Sequence, residues 1–372
     1  MDLDRLSERF VTFAEVECAD QPLYAALCNG LATHRPLLAD LLLAAPGQWR
    51  PSLLLAALHD LVMRFPREPF ARLYPSVGGA FDRDTDPMEL LEPFVAGHRD
   101  ELSSILTTRS IQTNEPNRSC LWWIAWRAAA ADVADLPISL VELGPSAGLN
   151  LVADRYRIAF GDTVRGDPAS PVRLACELRN GRRWLDAPSP DIVERVGLDT
   201  DPVDLADPDG LRWLRACLWP EQPERRSRFD DAVSRFLADP DPPTMLGGNA
   251  ATDLAALLAG LRDDTHVVVY NSWAMTYLPR DRRPVVEATL AALGSTRPVT
   301  WISAEADGVL DWIPADPAGV SLAHTVVGMA RWRDGVRRDE RRTLPSASRL
   351  ARMVRPTAAL TPSPLRRWAP SP

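Results

Sequence analysis

From Pro137 onward, short apolar runs alternate with amphipathic ones, and this alternation constrains the fold more than any other feature of the chain. Strand-like runs fall at 138–143, 172–178, 193–198, 244–246, 266–270 and 299–303. Helix-period stretches fall between them at 211–218, 228–237 and 253–261. Parallel strands need long crossovers, and helices are the usual ones, so the pattern predicts an α/β, doubly wound, mostly parallel sheet. Arg179-Asn-Gly-Arg182 is a hairpin turn signal, and it predicts an insertion near 172–186 outside the parallel core.

The first 135 residues differ. Leu6, Phe10 and Phe13, then Tyr24, Leu27 and Leu31, recur at helical spacing, and the period continues at 37–43 and 53–65. Pro51 fits a first helical position, and Pro66 and Pro69 mark a stop. Helices are also expected over 88–107 and 120–135, with Tyr74-Pro-Ser-Val-Gly-Gly-Ala80 as a loop. The expected division is therefore an all-helical cap or lid at 1–135, a Rossmann-like domain at 136–341, and a loosely ordered Pro- and Arg-rich tail at 342–372.

A net charge of −8 argues against a nucleic-acid binder that works through phosphate contacts. Five cysteines lie far apart without a C-x-x-C pair, which fits reduced thiols and a cytoplasmic setting. The charged opening does not read as a signal peptide, and the apolar run at 37–45 is broken by Asp40 and too short to span a bilayer. Scattered histidines give no metal-ligand spacing.

Function turns on Val141-Glu-Leu-Gly-Pro-Ser-Ala-Gly-Leu-Asn150, where the first strand runs into a Gly144/Gly148 turn and a helix is expected to begin near Leu149. The motif E-x-G-x-x-x-G resembles the S-adenosylmethionine loop of class I methyltransferases. Glycines there let the backbone approach a ligand, and amides at a helix start would meet its polar groups. That resemblance implies Glu142 facing the methionine ammonium, with Gly144, Ser146, Gly148 and Asn150 around the cofactor. Asp199, in Val196-Gly-Leu-Asp-Thr-Asp-Pro202, would accept from the ribose hydroxyls. Asn249, in Met245-Leu-Gly-Gly-Asn-Ala250, stands where such enzymes carry an acid near adenine.

The same letters satisfy G-x-S-x-G, the nucleophile elbow of α/β hydrolases, with Ser146 as nucleophile. Only His266 and His324 follow it as triad partners, and His266 begins an apolar strand at the wrong end. Polar groups at expected strand ends and loops supply the remaining candidates. Glu115, Tyr156, Asn271 and Tyr277 are the catalytic candidates, with Glu115 the favoured base. Asn114, Arg118 and Ser272 are the substrate contacts. For each, ordinary packing or loop hydrogen bonding is the competing explanation.

Together, Gln112-Thr-Asn-Glu115, residues 141–151, Asp154-Arg-Tyr156, Gly166-Asp-Pro-Ala-Ser-Pro-Val172, Trp213-Leu-Arg-Ala-Cys-Leu-Trp-Pro-Glu-Gln222, Ser272-Trp273 and Ser303-Ala-Glu305 resemble a largely actinobacterial family catalogued as domain of unknown function 2332. That family brings no established activity, and a glycine loop implies fold rather than function. The expectation is an S-adenosylmethionine-binding enzyme that transfers methyl to a small molecule, without nucleic-acid or membrane partners. Non-methyl use of the same cofactor, a serine hydrolase and a non-catalytic ligand-binding module are the alternatives.

Overall fold

A computed structural model describes residues 2–131, 133, 135–178, 182–313, 325–338 and 354–356. Its helices in chain order are α1 (Leu3–Val16), α2 (Pro22–Thr33), α3 (Arg35–Leu41), α4 (Pro51–Arg64), α5 (Pro87–Gly97), α6 (Arg99–Thr108), α7 (Ser119–Ala130), α8 (Pro208–Ala216), α9 (Pro223–Leu237), α10 (Leu254–Ala259) and α11 (Arg283–Leu293). The strands are β1 (Ile138–Leu143), β2 (Arg157–Phe160), β3 (Thr163–Gly166), β4 (Arg173–Leu178), β5 (Ile192–Asp199), β6 (Thr244–Gly247), β7 (His266–Ser272), β8 (Val299–Ala306), β9 (Thr325–Arg333), β10 (Val336–Arg338) and β11 (Val354–Pro356).

The chain divides into two compact units. The first comprises residues 1–113 and 204–227; the second comprises 114–203 and the chain from 228 onward. Helix α7, expected within the N-terminal helical segment, therefore belongs to the second unit, and α8 belongs to the first.

Unit 1 is helical around one apolar core. Leu6, Phe10, Leu27, Leu31, Leu54, Leu58, Phe70 and Leu102 share it with Trp213. Local signals set its helix ends. Pro51 opens α4 where no amide donor is needed, and the Asp207 carboxylate caps α8 by accepting from the amides of Asp209 and Gly210. The single helix expected over 88–107 is two, because Gly97 ends α5 and His98 takes a non-helical backbone (φ −129°, ψ 31°) before α6 begins.

Unit 2 holds a seven-stranded sheet in the order β10-β9-β8-β7-β1-β5-β6. Neighbours from β6 to β8 are parallel, and β9 and β10 turn back antiparallel. The sequence of parallel strands reverses about β1, with β5 and β6 on one side and β7 and β8 on the other, an order compatible with a Rossmann-like fold. Both faces are covered. Trp122, Ala125, Trp126 and Ala129 of α7 pack with Leu140, Val268, Tyr270 and Ile302. Leu254 and Leu258 of α10 and Val286 and Leu290 of α11 pack with Val141, Val269 and Trp301 on the other face. Burial on both faces explains why β1 and β7 read as continuous apolar runs instead of alternating.

Between β1 and β5 the chain leaves the main sheet to form most of a second one, ordered β11-β4-β2-β3. The strand-like run at 172–178 is β4 of this second sheet. The turn expected at 179–182 lies largely outside the described residues, as do His324 and most of the tail beyond 341.

Candidate functional site

Strand register assembles the site. Leu143 pairs with Leu198 on β5 and with Asn271 on β7, so Gly144, Asp199 and Ser272 leave the sheet level with one another. Asp199 pairs in turn with Gly247, the last residue of β6, which brings Gly248 and Asn249 to the same edge. These are the carboxyl ends of parallel strands at the point where strand order reverses, where open α/β sheets place ligand sites.

The glycine turn is held from within. Gly144, Ser146 and Gly148 all take positive φ (73°, 57° and 78°), and the Pro145 carbonyl accepts from the Gly148 amide to close the turn. A side chain on Gly144 would meet Ala274 Cβ at 2.6 Å, and one on Gly148 would meet Met245 Sδ at 2.8 Å. The Ser146 amide donates to Asp199 Oδ2 at 2.8 Å, and the Gly144 amide donates to the Leu198 carbonyl. Asp199 Oδ1 accepts from the Asp201 amide, so this half-buried carboxylate braces the loop with both oxygens.

The segment after the turn is not the expected α-helix. Residues Leu149–Arg155 form a 3-10 helix with a kink at Val152 (φ −112°, ψ 26°), directly before β2. The Leu149 carbonyl accepts the Tyr156 hydroxyl at 2.6 Å instead of an amide one helical turn on. The kink interrupts the run of aligned peptide dipoles that a continuous α-helix would point at an anion in the turn.

Beneath the turn, Glu142 is almost fully buried, and Tyr270 donates its hydroxyl to Glu142 Oε2 at 2.9 Å. Burial pushes the Glu142 carboxyl up to about 8, against the opposing pull of the Tyr270 hydrogen bond and Arg118. The acid is therefore largely protonated at neutral pH. Tyr270 is driven well above the usual phenol range by the same burial and by the neighbouring carboxyl.

Of the remaining candidates, several are engaged in structure. Tyr156 is buried, and its hydroxyl donates to the Leu149 carbonyl at 2.6 Å. Asn271 donates to Ser303 Oγ (2.8 Å) and Glu305 Oε1 (2.7 Å) and accepts from Trp301 Nε1 (2.8 Å). Asn150 Oδ1 accepts the Ser119 hydroxyl, and Asn249 Oδ1 accepts the Ala251 amide in a local turn. Tyr277, 56% exposed, lies on the surface. Glu115 is buried, caps residues 116–118 by accepting from the Asn117 amide, and lies 3.8 Å from Arg228. Arg118 reaches the Ser272 carbonyl at 3.5 Å.

Two buried polar atoms beside the turn have no hydrogen-bond partner among the described residues: Ser146 Oγ and Asn114 Oδ1. Asn114 belongs beside Ser146 because its Nδ2 donates to the Pro145 carbonyl at 3.3 Å. Buried polar atoms are nearly always satisfied, so an orphaned pair flanking one peptide marks a place where a ligand or water belongs.

Sequence reasoning missed Glu305. It is fully shielded and accepts from the amides of Ala274, Met275 and Thr276, holding the loop that follows β7. Burial raises its carboxyl to about 7, with those amides pulling the other way. An acid at the end of an apolar strand was the available signal.

The match to known families covers residues 7–351. The chain belongs to the DUF2332 family. Its members are described as uncharacterized proteins conserved in bacteria. No curated protein matches the chain. Of the segments that resemble the family, Asn114, Glu115, residues 141–151, Ser272 and Glu305 lie at or beneath the carboxyl edge of the main sheet, whereas residues 213–222 belong to unit 1 and residues 166–172 lead into the second sheet. Among the described residues, no group of three or more His, Cys, Asp or Glu side chains is arranged to hold a metal, and no helix is long and apolar enough to cross a membrane.

Proposed function

We propose that unit 2 binds S-adenosylmethionine at the carboxyl edge of β1 and β5 and transfers its methyl group to a small molecule. The observation that carries this reading is the Ser146–Asp199 hydrogen bond. It joins the E-x-G-x-x-x-G turn after β1 to an acid after the adjacent strand, at the reversal of strand order.

The residues present fit this cofactor through side chains more than through loop amides. Gly144, Ser146 and Gly148 spend their amides on protein acceptors, whereas Asp199 has used two of a carboxylate's roughly four acceptor positions. Its remaining positions would take the ribose hydroxyls. Exposed Gly144 would allow close backbone approach, and the orphaned Ser146 Oγ and Asn114 Oδ1 would meet polar groups of the ligand. Glu142 would ionise opposite the ammonium. Asn249 would need to release Ala251 before its oxygen could accept from adenine.

Bound there, the cofactor would supply an electrophilic methyl group. The protein's share is positioning and exclusion of water, with a base required only for an acceptor that arrives protonated. Glu115 serves as that base in this reading, and Arg118 and Ser272 orient the acceptor.

A serine hydrolase is favoured by one observation, the positive φ of Ser146 with its hydroxyl unpartnered among the described residues. Against it, His266, the only histidine described in unit 2, sits at the opposite end of β7 with Nε2 on Thr300 Oγ1.

Calorimetric titration with S-adenosylmethionine and S-adenosylhomocysteine tests the proposal. Micromolar binding that weakens at least tenfold in Asp199→Asn supports it. Absence of binding to either compound by the folded wild type removes it.

A further inference from the structure

Unit 1 contains a second arrangement with chemical potential, in the loop Tyr74-Pro-Ser-Val-Gly-Gly-Ala80. Ser76 Oγ lies 2.7 Å from Nε2 of His59 in α4. The other ring nitrogen, Nδ1, faces the Ala216 carbonyl at 3.1 Å. A carbonyl only accepts, so Nδ1 carries the proton and Nε2 offers its lone pair to the Ser76 hydroxyl. Full burial holds the imidazole neutral, lowering it to about 4. A hydroxyl donating to a neutral imidazole whose far side is fixed by a third group has the polarity of a nucleophile–base pair.

Two further features suit this role. Ser76 is half-buried, and the loop turns away beside it at exposed Gly78, where even an added Cβ would have no neighbouring atom within 4 Å. Arg226 donates to the Ser76 backbone carbonyl at 3.0 Å, which brings a positive charge to this residue and close enough to His59 to act on its imidazole. The loop's own amides at Val77, Gly78 and Gly79 are taken by the carbonyls of Tyr74 and Pro75, so a developing oxyanion would turn to the guanidinium instead.

We propose that unit 1 carries a serine acyl-transfer site for small uncharged carboxylic esters, with Ser76 as nucleophile, His59 as general base and Arg226 beside the oxyanion. Ser76 Oγ bonds to the ester carbonyl carbon as its proton passes to His59 Nε2. The bond to the leaving alkoxide then breaks, and that oxygen takes the proton from Nε2. Water repeats the sequence on the acyl-serine, releasing the acid and restoring Ser76. A base this weakly basic moves protons slowly, so acylation by activated esters outpaces turnover. The proposal is independent of any ligand in unit 2.

The full chain is treated with a fluorophosphonate probe and the modified peptide identified by mass spectrometry, alongside p-nitrophenyl acetate hydrolysis. The expected result is one label per chain at Ser76, abolished in Ser76→Ala and slowed at least tenfold in His59→Gln, with a burst of p-nitrophenol in the wild type. Because Ser76 is half-buried, Ser76→Ala keeps the test decisive even where His59→Gln fails to fold. A folded wild type without label on Ser76 overturns the proposal. So does label on Ser146 alone, which would support the hydrolase reading of unit 2.

Discussion

The amide of Ser146 and the carboxylate of Asp199, 53 residues apart in sequence, form a 2.8 Å hydrogen bond that ties the turn after β1 to the end of β5. The bond gives Asp199 two duties, as brace and as candidate ligand acceptor, which substitutions can separate. Asp199→Ala removes the acceptors of two amides, one in a buried residue, and should cost about 2–3 kcal/mol in urea unfolding. Asp199→Asn keeps one acceptor oxygen and should cost about half as much. A binding loss shared equally by both variants would locate the ligand contact in the charge, and a loss confined to alanine would assign it to loop geometry.

Glu142 and Glu305 make stability pH-dependent in the less common direction for acids. Burial raises them to about 8 and about 7, above the unfolded value of 4.5. Their stabilisation is therefore fully present below pH 4.5 and is lost as pH rises through the folded values. Each contributes a slope of at most about 1.4 kcal/mol per pH unit within its window. Glu142→Gln, which can still accept from Tyr270, should flatten the decline between pH 5 and 8 and raise stability at pH 8. A melting-temperature series against pH, run on wild type and variant, would expose an unchanged slope.

Bound S-adenosylmethionine would reverse the shift at Glu142. A cation beside the carboxyl favours its ionised form, so binding should release a proton and tighten as pH rises toward 8. Titration in two buffers of different ionisation enthalpy measures the proton count. A value of zero near pH 7 would remove Glu142 as the ammonium partner.

Gly144 is the least replaceable residue of the turn. Its φ of 73° costs an alanine roughly 1–2 kcal/mol, and a Cβ at 2.6 Å from that of Ala274 adds roughly 1–3 kcal/mol of overpacking. Gly144→Ala should therefore lose several kcal/mol in chemical denaturation, far more than alanine at the unobstructed Gly47.

The tyrosines proposed together as catalytic should behave differently. Tyr156→Phe removes one buried hydrogen bond and should cost about 0.5–1.5 kcal/mol while leaving ligand affinity unaltered. Tyr277→Ala, on the surface, should change stability by less than about 0.5 kcal/mol. A fall in affinity for Tyr156→Phe at unchanged stability would show that the hydroxyl does more than brace Leu149.

Much of unit 2 was legible because its physics is local. Short, mostly apolar runs marked β1, β7 and β8, the Val196-Gly-Leu run before Asp199 marked the end of β5, and the Gly144/Gly148 spacing marked the turn. β2 and β3 were overlooked because their four-residue spans carry little periodicity. The 3-10 helix after Gly148 was read as the start of an α-helix because Leu149-Asn-Leu-Val is apolar enough for either. In the fold, the kink at Val152 and the Tyr156 hydroxyl on Leu149 accompany the shorter form. Asn271 read as functional because polar groups near strand ends usually are, and Tyr156 because it closes the Asp154-Arg-Tyr156 segment of the family resemblance. Their partners, Leu149, Ser303 and Glu305, are fixed by the fold.

The sequence by itself determined the parallel α/β character of unit 2, the glycine turn and the membership of the family, since periodicity, backbone freedom and motif spacing reside in the residues. Tertiary structure decided which polar groups are spent and which are left over. That depends on register between strands far apart in the chain: β1 level with β5 brings Asp199 to Ser146, and β7 beside β8 brings Asn271 to Glu305. It also depends on burial, which protonates Glu142 and neutralises His59. No residue carries its own dielectric environment, and so neither property could be read before the chain was folded.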